Sequence, residues 1–446
     1  MPREDRPCAE REREGAEGLE GRDPRRLLQG GHRRHARVAG AQADRAPAGG
    51  RGGRLVPRPL RPRASRAGAQ FHRARSGSGG LRRDRHGSLG HRLRRARRAG
   101  AARGRSAERD RPGRNRERQG LEAVIRIGHA GLGYWGPNLA RNFGALADLR
   151  WLCDLSPDVL DKAAKAHPQA RTTDDFEALL ADPEVDAVVI ATPVVTHYEL
   201  AKQALSAGKH VFVEKPQAQS SAEAEELTAL AEERGLVLMP GYLLLYHPAL
   251  HRLKELIDEG ELGDVLYLYG NRQNLGQIRR DENALWSIGA QDLSMILHLV
   301  GEEPVEAWAR GESFLRTGIE DVVFCYLRFP SGIVAHMHVS WLDPHKIRML
   351  TVVGRDKMAV FDDMEPDRKL TVYDKGPVER PASDWQVRVG DIHIPNLPSE
   401  EPLRREVARF LALVDGQGDP LAPAREGLAV IRTLEQLQES LDRAPA

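Results

Sequence analysis

The sequence predicts an α/β protein with a doubly wound parallel sheet, followed by an α+β domain with a mostly antiparallel sheet. Three observations lead there. A β-rich run, Val124 to Ala130, passes directly into Gly131-Leu-Gly133-Tyr-Trp-Gly136 and then into a helix-like stretch, Pro137 to Leu146. A second apolar run, Leu149 to Cys153, ends in Asp154. Strand-like and helix-like segments then alternate as far as Tyr242, which is the pattern of repeated βαβ units.

The elements follow in order. Ser156-Pro157 to Ala166 reads as a helix with proline in its first turn. Thr173-Asp174 opens another through Leu180, and Asp182-Pro183 ends it. Asp186 to Thr192 is a near-continuous apolar run, as a strand buried on both faces requires. A helix from Thr196 to Ala207 closes at Gly208, and His210 to Val213 is the next strand. Ser220 or Ser221 caps a helix that runs to Arg234 and stops at Gly235, and Leu236 to Met239 is a further strand. Beyond Tyr242 the pattern changes. A helix from Pro248 to Glu259 precedes strands at Val265–Tyr269, Asp321–Phe329, Ile333–Trp341, Ile347–Val353 and Met358–Phe361. Ser331-Gly332 between two apolar runs signals a hairpin. Glu400 to Leu413 and Arg425 to Leu441 read as closing helices. The expected organisation is an extension over 1–120, a Rossmann domain over 121–242 and an α+β substrate or oligomerisation domain over 243–446.

The glycine turn carries chemistry. Gly131 permits the tight turn, Gly133 lets a pyrophosphate approach the backbone, and Gly136 lets the helix pack close to the sheet. The free N–H groups at the helix N-terminus favour the phosphate charge. Asp154 would accept from the adenosine ribose hydroxyls, and its carboxylate would repel a 2′-phosphate. NAD is therefore expected in preference to NADP.

Composition divides the chain. Residues 1–120 hold 34 Arg, no Lys and 13 Asp+Glu, a net charge of +21, while residues 121–446 carry −18. The first 120 residues contain no Ile, Tyr or Trp and only 12 Leu, Val, Met and Phe. Too little apolar surface is available to offset chain entropy, so a disordered extension is expected. Clusters such as Arg94-Arg95 would attract phosphates, but no aromatic residues are interleaved for stacking, so nucleic acid is disfavoured as a partner. No apolar segment follows Arg25-Arg26, which excludes a twin-arginine signal. The Arg/Gly/Ala/Pro bias is that of GC-rich DNA read upstream of a start or out of frame. The protein proper is expected to begin near Val124. Cys8, Cys153 and Cys325 have no metal or disulfide spacing, and no run approaches a membrane span. A cytoplasmic protein without metal or membrane partner is expected.

From about 124 to 443 the sequence resembles the Gfo/Idh/MocA oxidoreductases. The motifs are the glycine fingerprint, Ala191-Thr192-Pro193 followed by His197, Ala207-Gly-Lys-His-Val211, and Glu214-Lys215-Pro216. Gly133 to Leu139 and Ser340 to Lys346 are similar to the branch acting on nucleotide-linked amino sugars, which includes UDP-N-acetylglucosamine-type 3-dehydrogenases. The resemblance implies hydride transfer between nicotinamide and a secondary alcohol of a sugar or nucleotide sugar. It implies a cofactor site that includes Tyr134, Trp135, Thr192, Pro193, His197 and Glu214, with Lys215 as the catalytic ammonium. It also implies an Asp and a His four residues apart on a helix, where this chain has Ser287 and Gln291. Neither titrates near neutrality. Either Lys215 carries the acid/base work alone, or the protein is an NAD-binding homologue with lost or altered catalysis. Arg272, Asn274, Arg279, Asn283 and His345 are candidate substrate contacts, with a solvated loop as the alternative. A homo-oligomer, dimer or tetramer, formed through the second sheet is expected.

Overall fold

The computed structural model describes residues 124–380 and 383–443, and the readings made for residues 1–120 lie outside them. The first sheet has six strands, all parallel, in the order β3-β2-β1-β4-β5-β6. They are β1 Arg126–Ala130, β2 Asp148–Cys153, β3 Arg171–Thr173, β4 Ala187–Ile190, β5 His210–Glu214 and β6 Leu238–Gly241. This is the Rossmann order, with the chain reversing direction between β1 and β4. Helices α1 Gly136–Leu146, α2 Pro157–Ala166, α3 Phe176–Ala181, α4 His197–Ser206 and α5 Ser221–Arg234 make the crossovers.

The element ends follow local chemistry. Ser220 caps α5 by accepting from Glu223 N–H at 3.3 Å, and Gly235 leaves the helix at φ 64°. Pro240 falls within β6, which is tolerated because β6 is an edge strand and needs fewer backbone donors. One expectation is displaced. Thr173 belongs to the short strand β3, and the next helix starts at Phe176, because the Asp175 carboxylate accepts from Glu177 N–H at 2.9 Å and caps it there.

The second sheet has eight strands in the order β14-β13-β12-β11-β7-β10-β9-β8, and only the β10–β7 pair is parallel. The strands are β7 Val265–Leu275, β8 Glu306–Glu312, β9 Val322–Arg328, β10 Val334–Ser340, β11 Leu342–Gly354, β12 Met358–Asp362, β13 Leu370–Arg380 and β14 Ser383–His393. Helices α6 Pro248–Asp258, α7 Ala290–Val300 and α9 Ala422–Asp442 cover one face. The other face is open and aromatic. Trp308 stacks on Tyr326 at 5.4 Å, Phe324 on His338 at 4.4 Å and Tyr269 on His336 at 5.3 Å.

Helix α8, Pro402–Val414, returns to the first sheet. Its Phe410 completes an edge-to-face triad with Phe143 of α1 and Phe212 of β5, with centroids 5.6–5.9 Å apart. Arg141 reinforces this contact from outside by donating twice to the Glu401 carboxylate. Helix α9 spans both cores. Leu428 and Ile431 pack with α4 and α5, while Leu434, Leu437 and Leu441 pack under the second sheet. Phe410→Ala is expected to lower stability by about 3–5 kcal/mol through lost burial and a cavity between α8 and the sheet. Denaturant titration against wild type measures it.

Candidate functional site

The site forms at the carboxyl ends of the parallel strands, where the chain reverses between β1 and β4. Gly131 has φ 90°, and a Cβ there would lie 2.5 Å from the Ala191 carbonyl carbon. Its N–H donates to Cys153 O at 2.8 Å, which closes the turn against β2. Gly136 is equally constrained, since a Cβ would lie 2.1 Å from Gly131 O. Gly133 differs: nothing stands within 4 Å of where its Cβ would be. The first and third glycines serve the fold, and the second leaves open space above the turn.

Asp154 joins this turn from the end of β2. Its Oδ2 accepts from Leu132 N–H at 2.7 Å and its Oδ1 from Ser156 N–H at 2.9 Å. Each carboxylate oxygen keeps a further lone pair for a ribose hydroxyl. An open Gly133 position, a bare helix N-terminus at Gly136 and an oriented carboxylate together fit a dinucleotide. Those residues would hold its pyrophosphate and adenosine ribose. Tyr134 is almost fully exposed on the turn.

The candidate reacting end draws on β4, β5 and the segment before α7. His197, at the start of α4, is 1% exposed. Its Nδ1 lies 2.8 Å from Pro216 O and its Nε2 2.8 Å from Thr192 O. The ring thereby ties the loop after β4 to the loop after β5. Burial lowers its pKa, against the pull of the two carbonyls. Pro193 leads into a 3₁₀ turn at Val194–Thr196, where Thr192 and Thr196 hydroxyls meet at 2.7 Å.

Lys215 follows the last residue of β5. Its Nζ donates to the backbone carbonyl of Ser287 at 2.8 Å. Ser287 lies in a π-helical turn, Leu285–Gly289, that runs into α7. Such turns are rare and concentrate at functional sites. Burial lowers the Lys215 pKa, while Glu282 and Glu214 raise it and Arg272 and Arg279 lower it. Glu214 is itself pushed up to about 7 by burial, with Lys215 and a hydrogen bond from Trp135 opposing.

The other candidates separate. Gln291 stands one turn beyond Ser287, and its Oε1 is buried without a hydrogen-bond partner. Arg272 is committed to an ion pair: Nε and Nη2 donate to Asp292 Oδ1 at 2.8 and 2.6 Å, and both groups are buried. Asn283 anchors the π-helical turn, with Nδ2 donating to Glu320 and Gln438 and Oδ1 accepting from Trp286 N–H. Asn274 is half-buried near the end of β7. Arg279 is partly exposed beside Glu282. His345 is exposed on β11 beside Asp343. Sequence reasoning missed Asp292 and Glu282. Asp292 had a signal, since a carboxylate within an apolar helix needs a cation. Glu282 had none.

The fold and this end of the sheet define a dinucleotide-binding oxidoreductase, and the comparisons agree. Residues 125–242 match the family described as "Oxidoreductase family, NAD-binding Rossmann fold", and residues 250–360 match the GFO/IDH/MocA C-terminal domain. The UDP-N-acetylglucosamine 3-dehydrogenase of Acidithiobacillus ferrooxidans is 30% identical over 253 residues, which is 56% of this chain and 78% of that protein. A solved structure of a UDP-N-acetylglucosamine 3-dehydrogenase from the same organism aligns with TM-score 0.61 at 27% identity, over 72% of this chain and 98% of that one. The 1,5-anhydro-D-fructose reductase of Ensifer adhaerens is 26% identical over 276 residues, 59% of this chain and 79% of that protein. GenD2 from gentamicin A biosynthesis, solved in complex with NAD, aligns with TM-score 0.61 at 25% identity, over 73% and 96% of the two chains. The chain belongs to the Gfo/Idh/MocA oxidoreductase family. Among the described residues no helix is long and apolar enough to cross a membrane, and no cluster of side chains could hold a metal ion.

The glycines give a paired prediction. Gly133→Ala should leave stability within about 0.5 kcal/mol of wild type and weaken NAD binding about tenfold or more. Gly136→Ala should cost about 1–3 kcal/mol of stability, because backbone must move. Thermal unfolding and calorimetric NAD titration distinguish the two.

Proposed function

We propose that this protein is an NAD-dependent oxidoreductase that moves hydride between nicotinamide and a secondary alcohol carbon of a sugar or nucleotide sugar. The observation that carries the reading is Lys215. Its ammonium stands at the carboxyl end of β5, held to Ser287 O at 2.8 Å. It can hydrogen-bond the oxygen of an alcohol or ketone and stabilise negative charge developing there. The cofactor supplies the hydride chemistry, and the chain positions the substrate and moves the proton. The relatives named for sugar substrates support that class. NAD is favoured over NADP because the Asp154 carboxylate, held by Leu132 and Ser156 N–H, would accept from the adenosine ribose hydroxyls and repel a 2′-phosphate.

Gln291 fits substrate binding rather than proton transfer. A buried, unpartnered Oε1 is costly to leave unsatisfied. A sugar hydroxyl donating to it satisfies the group. Lys215 is then the side chain this reading assigns to acid/base work. The second reading is an NAD-binding homologue without turnover, favoured by Ser287 and Gln291 in place of an Asp/His pair. The protein is also proposed to be a homo-oligomer through the open aromatic face of the second sheet. Phe324 is 48% and Trp308 43% exposed there, which is unusual for large aromatic side chains on a monomer.

The deciding experiment is NAD reduction with a panel of UDP- and dTDP-linked sugars. Turnover with at least one supports the enzyme reading. Measurable NAD binding with none turned over supports the second. In an active enzyme the proton acceptor must be neutral lysine. Alcohol oxidation should therefore rise with pH through a midpoint below the ordinary lysine value of about 10.4, and ketone reduction should fall through it. Lys215→Arg should lose about 10²–10⁴-fold in kcat, because guanidinium cannot accept the proton. Phe324→Asp should shift sedimentation toward monomer without unfolding the chain, and an unchanged profile rejects that interface.

A further inference from the structure

Helix α8 places a carboxylic acid where its neighbours call for an apolar side chain. Leu403, Val407, Phe410 and Leu413 form its inward face, and Glu406 lies on that face. Glu406 is 1% exposed, and neither carboxylate oxygen has a hydrogen-bond partner. An ionised carboxylate cannot persist there, so the group keeps its proton. A leucine would fill the same space without an unsatisfied donor and acceptor.

The helix is held against α1 and β5 by the Arg141–Glu401 pair and the Phe410 triad. Glu406 lies one helical turn before Phe410, and Glu214 lies two residues after Phe212 on the same strand face. The Phe410 and Phe212 rings meet at 5.7 Å, so the α8–β5 contact brings the two carboxyl groups to one side, where the field of Glu214 acts on Glu406. Glu214 itself lies against Gly241 of β6, where a Cβ would come within 3.2 Å of its Oε1. Its Oε2 accepts from Lys215 N–H at 3.3 Å. Tyr246, in the turn after β6, also feels the field of Glu406, and the nearest partner of its hydroxyl is Met239 Sδ at 4.0 Å. Two carboxyl groups, a buried Glu406 and a half-buried Glu214, therefore meet at the α8–β5 contact, one of them adjoining Lys215 in the chain. In such a pair only one ionises readily.

We propose that Glu406 is a positioning residue, a buried acid that keeps its proton and donates its O–H to the Glu214 carboxylate when Glu214 ionises. Glu214 releases its proton to solvent, and Glu406 neither gains nor loses one. The pair fixes the side chain adjoining Lys215 and adds to the charge that Glu282, Arg272 and Arg279 already set around the ammonium. This rests on Lys215 marking the reacting end of the site.

The test follows the carboxyl carbons of ¹³C-glutamate-labelled full-length protein by NMR as pH is varied, without cofactor or substrate. Signals are assigned with Glu214→Gln and Glu406→Gln. The expected result is one carboxyl that titrates near neutrality and disappears in Glu214→Gln. A second, lost in Glu406→Gln, should remain protonated throughout that range. Glu406→Leu should raise the Glu214 midpoint by about one pH unit, because the donor is gone. Glu406→Gln retains an N–H donor and should leave the midpoint near wild type. Thermal unfolding of both variants should match wild type or exceed it. The proposal is overturned if Glu406 titrates like an exposed glutamate, or if Glu406→Leu folds and leaves the Glu214 midpoint unmoved. Should Glu406→Leu fail to fold, the Glu406 signal in wild type still decides. The titration involves no turnover, so its failure and that of the oxidoreductase reading are separately visible.

Discussion

The site depends on how the last part of the chain spans two hydrophobic cores. The parallel sheet and the antiparallel sheet each bury their own apolar set. Helix α9 inserts Leu428 and Ile431 into one and Leu434 and Leu437 into the other. Each such side chain contributes about 1.5–3 kcal/mol on burial, so the two halves of one rigid helix fix the sheets together. Only because they are fixed can Lys215, from the end of β5, reach the Ser287 carbonyl across 72 positions of sequence. A hydrogen bond tolerates only a few tenths of an ångström of drift, whereas apolar packing supplies strength with little direction. The packing holds the halves, and the hydrogen bond registers them.

Much of this was legible in the sequence because the signals were local. Glycine at 131 and 136 reports backbone constraints within a few residues, and the structure gives each a definite close approach. Continuous apolar runs such as Ala187–Ile190 mark strands buried on both faces. The second sheet was less legible where one face meets solvent. Strand β8 alternates Trp308 and Arg310 with Ala309, and its charges hide the period. The long hairpin of β13 and β14 carries few continuous apolar residues. Strand β3 is three residues long and takes its place only from its neighbour β2.

Side-chain partners were less legible still, because they are set by distant elements. Arg272 and Asn283 look alike in sequence, as polar residues in a polar stretch. One is neutralised by Asp292 on α7, and the other is held by Gln438 on α9. Glu406 is the reverse case. Its place on the inward stripe of an amphipathic helix is visible from the spacing of Leu403, Val407 and Phe410, yet a single charge in such a stripe reads as tolerance until burial is known.

The departure at Ser287 and Gln291 looks different once the geometry is considered. An Asp/His pair acts through side chains, and both side chains are changed here. The contact that locates Lys215 is made by a backbone carbonyl, and the π-helical turn directs it. A carbonyl is indifferent to the side chain on its residue, so the position of the ammonium survives the substitution. What changes is the number of groups able to carry a proton. In the proposed reaction lysine alone would work in both directions, as ammonium toward a ketone and as amine toward an alcohol, provided its pKa is brought down. Burial brings it down here, and Glu282 and Glu214 resist. In the proposed reaction, the charges on Glu282 and Glu214 together oppose the burial that would let Lys215 act alone, so the environment of both carboxylates bears on the proton transfer.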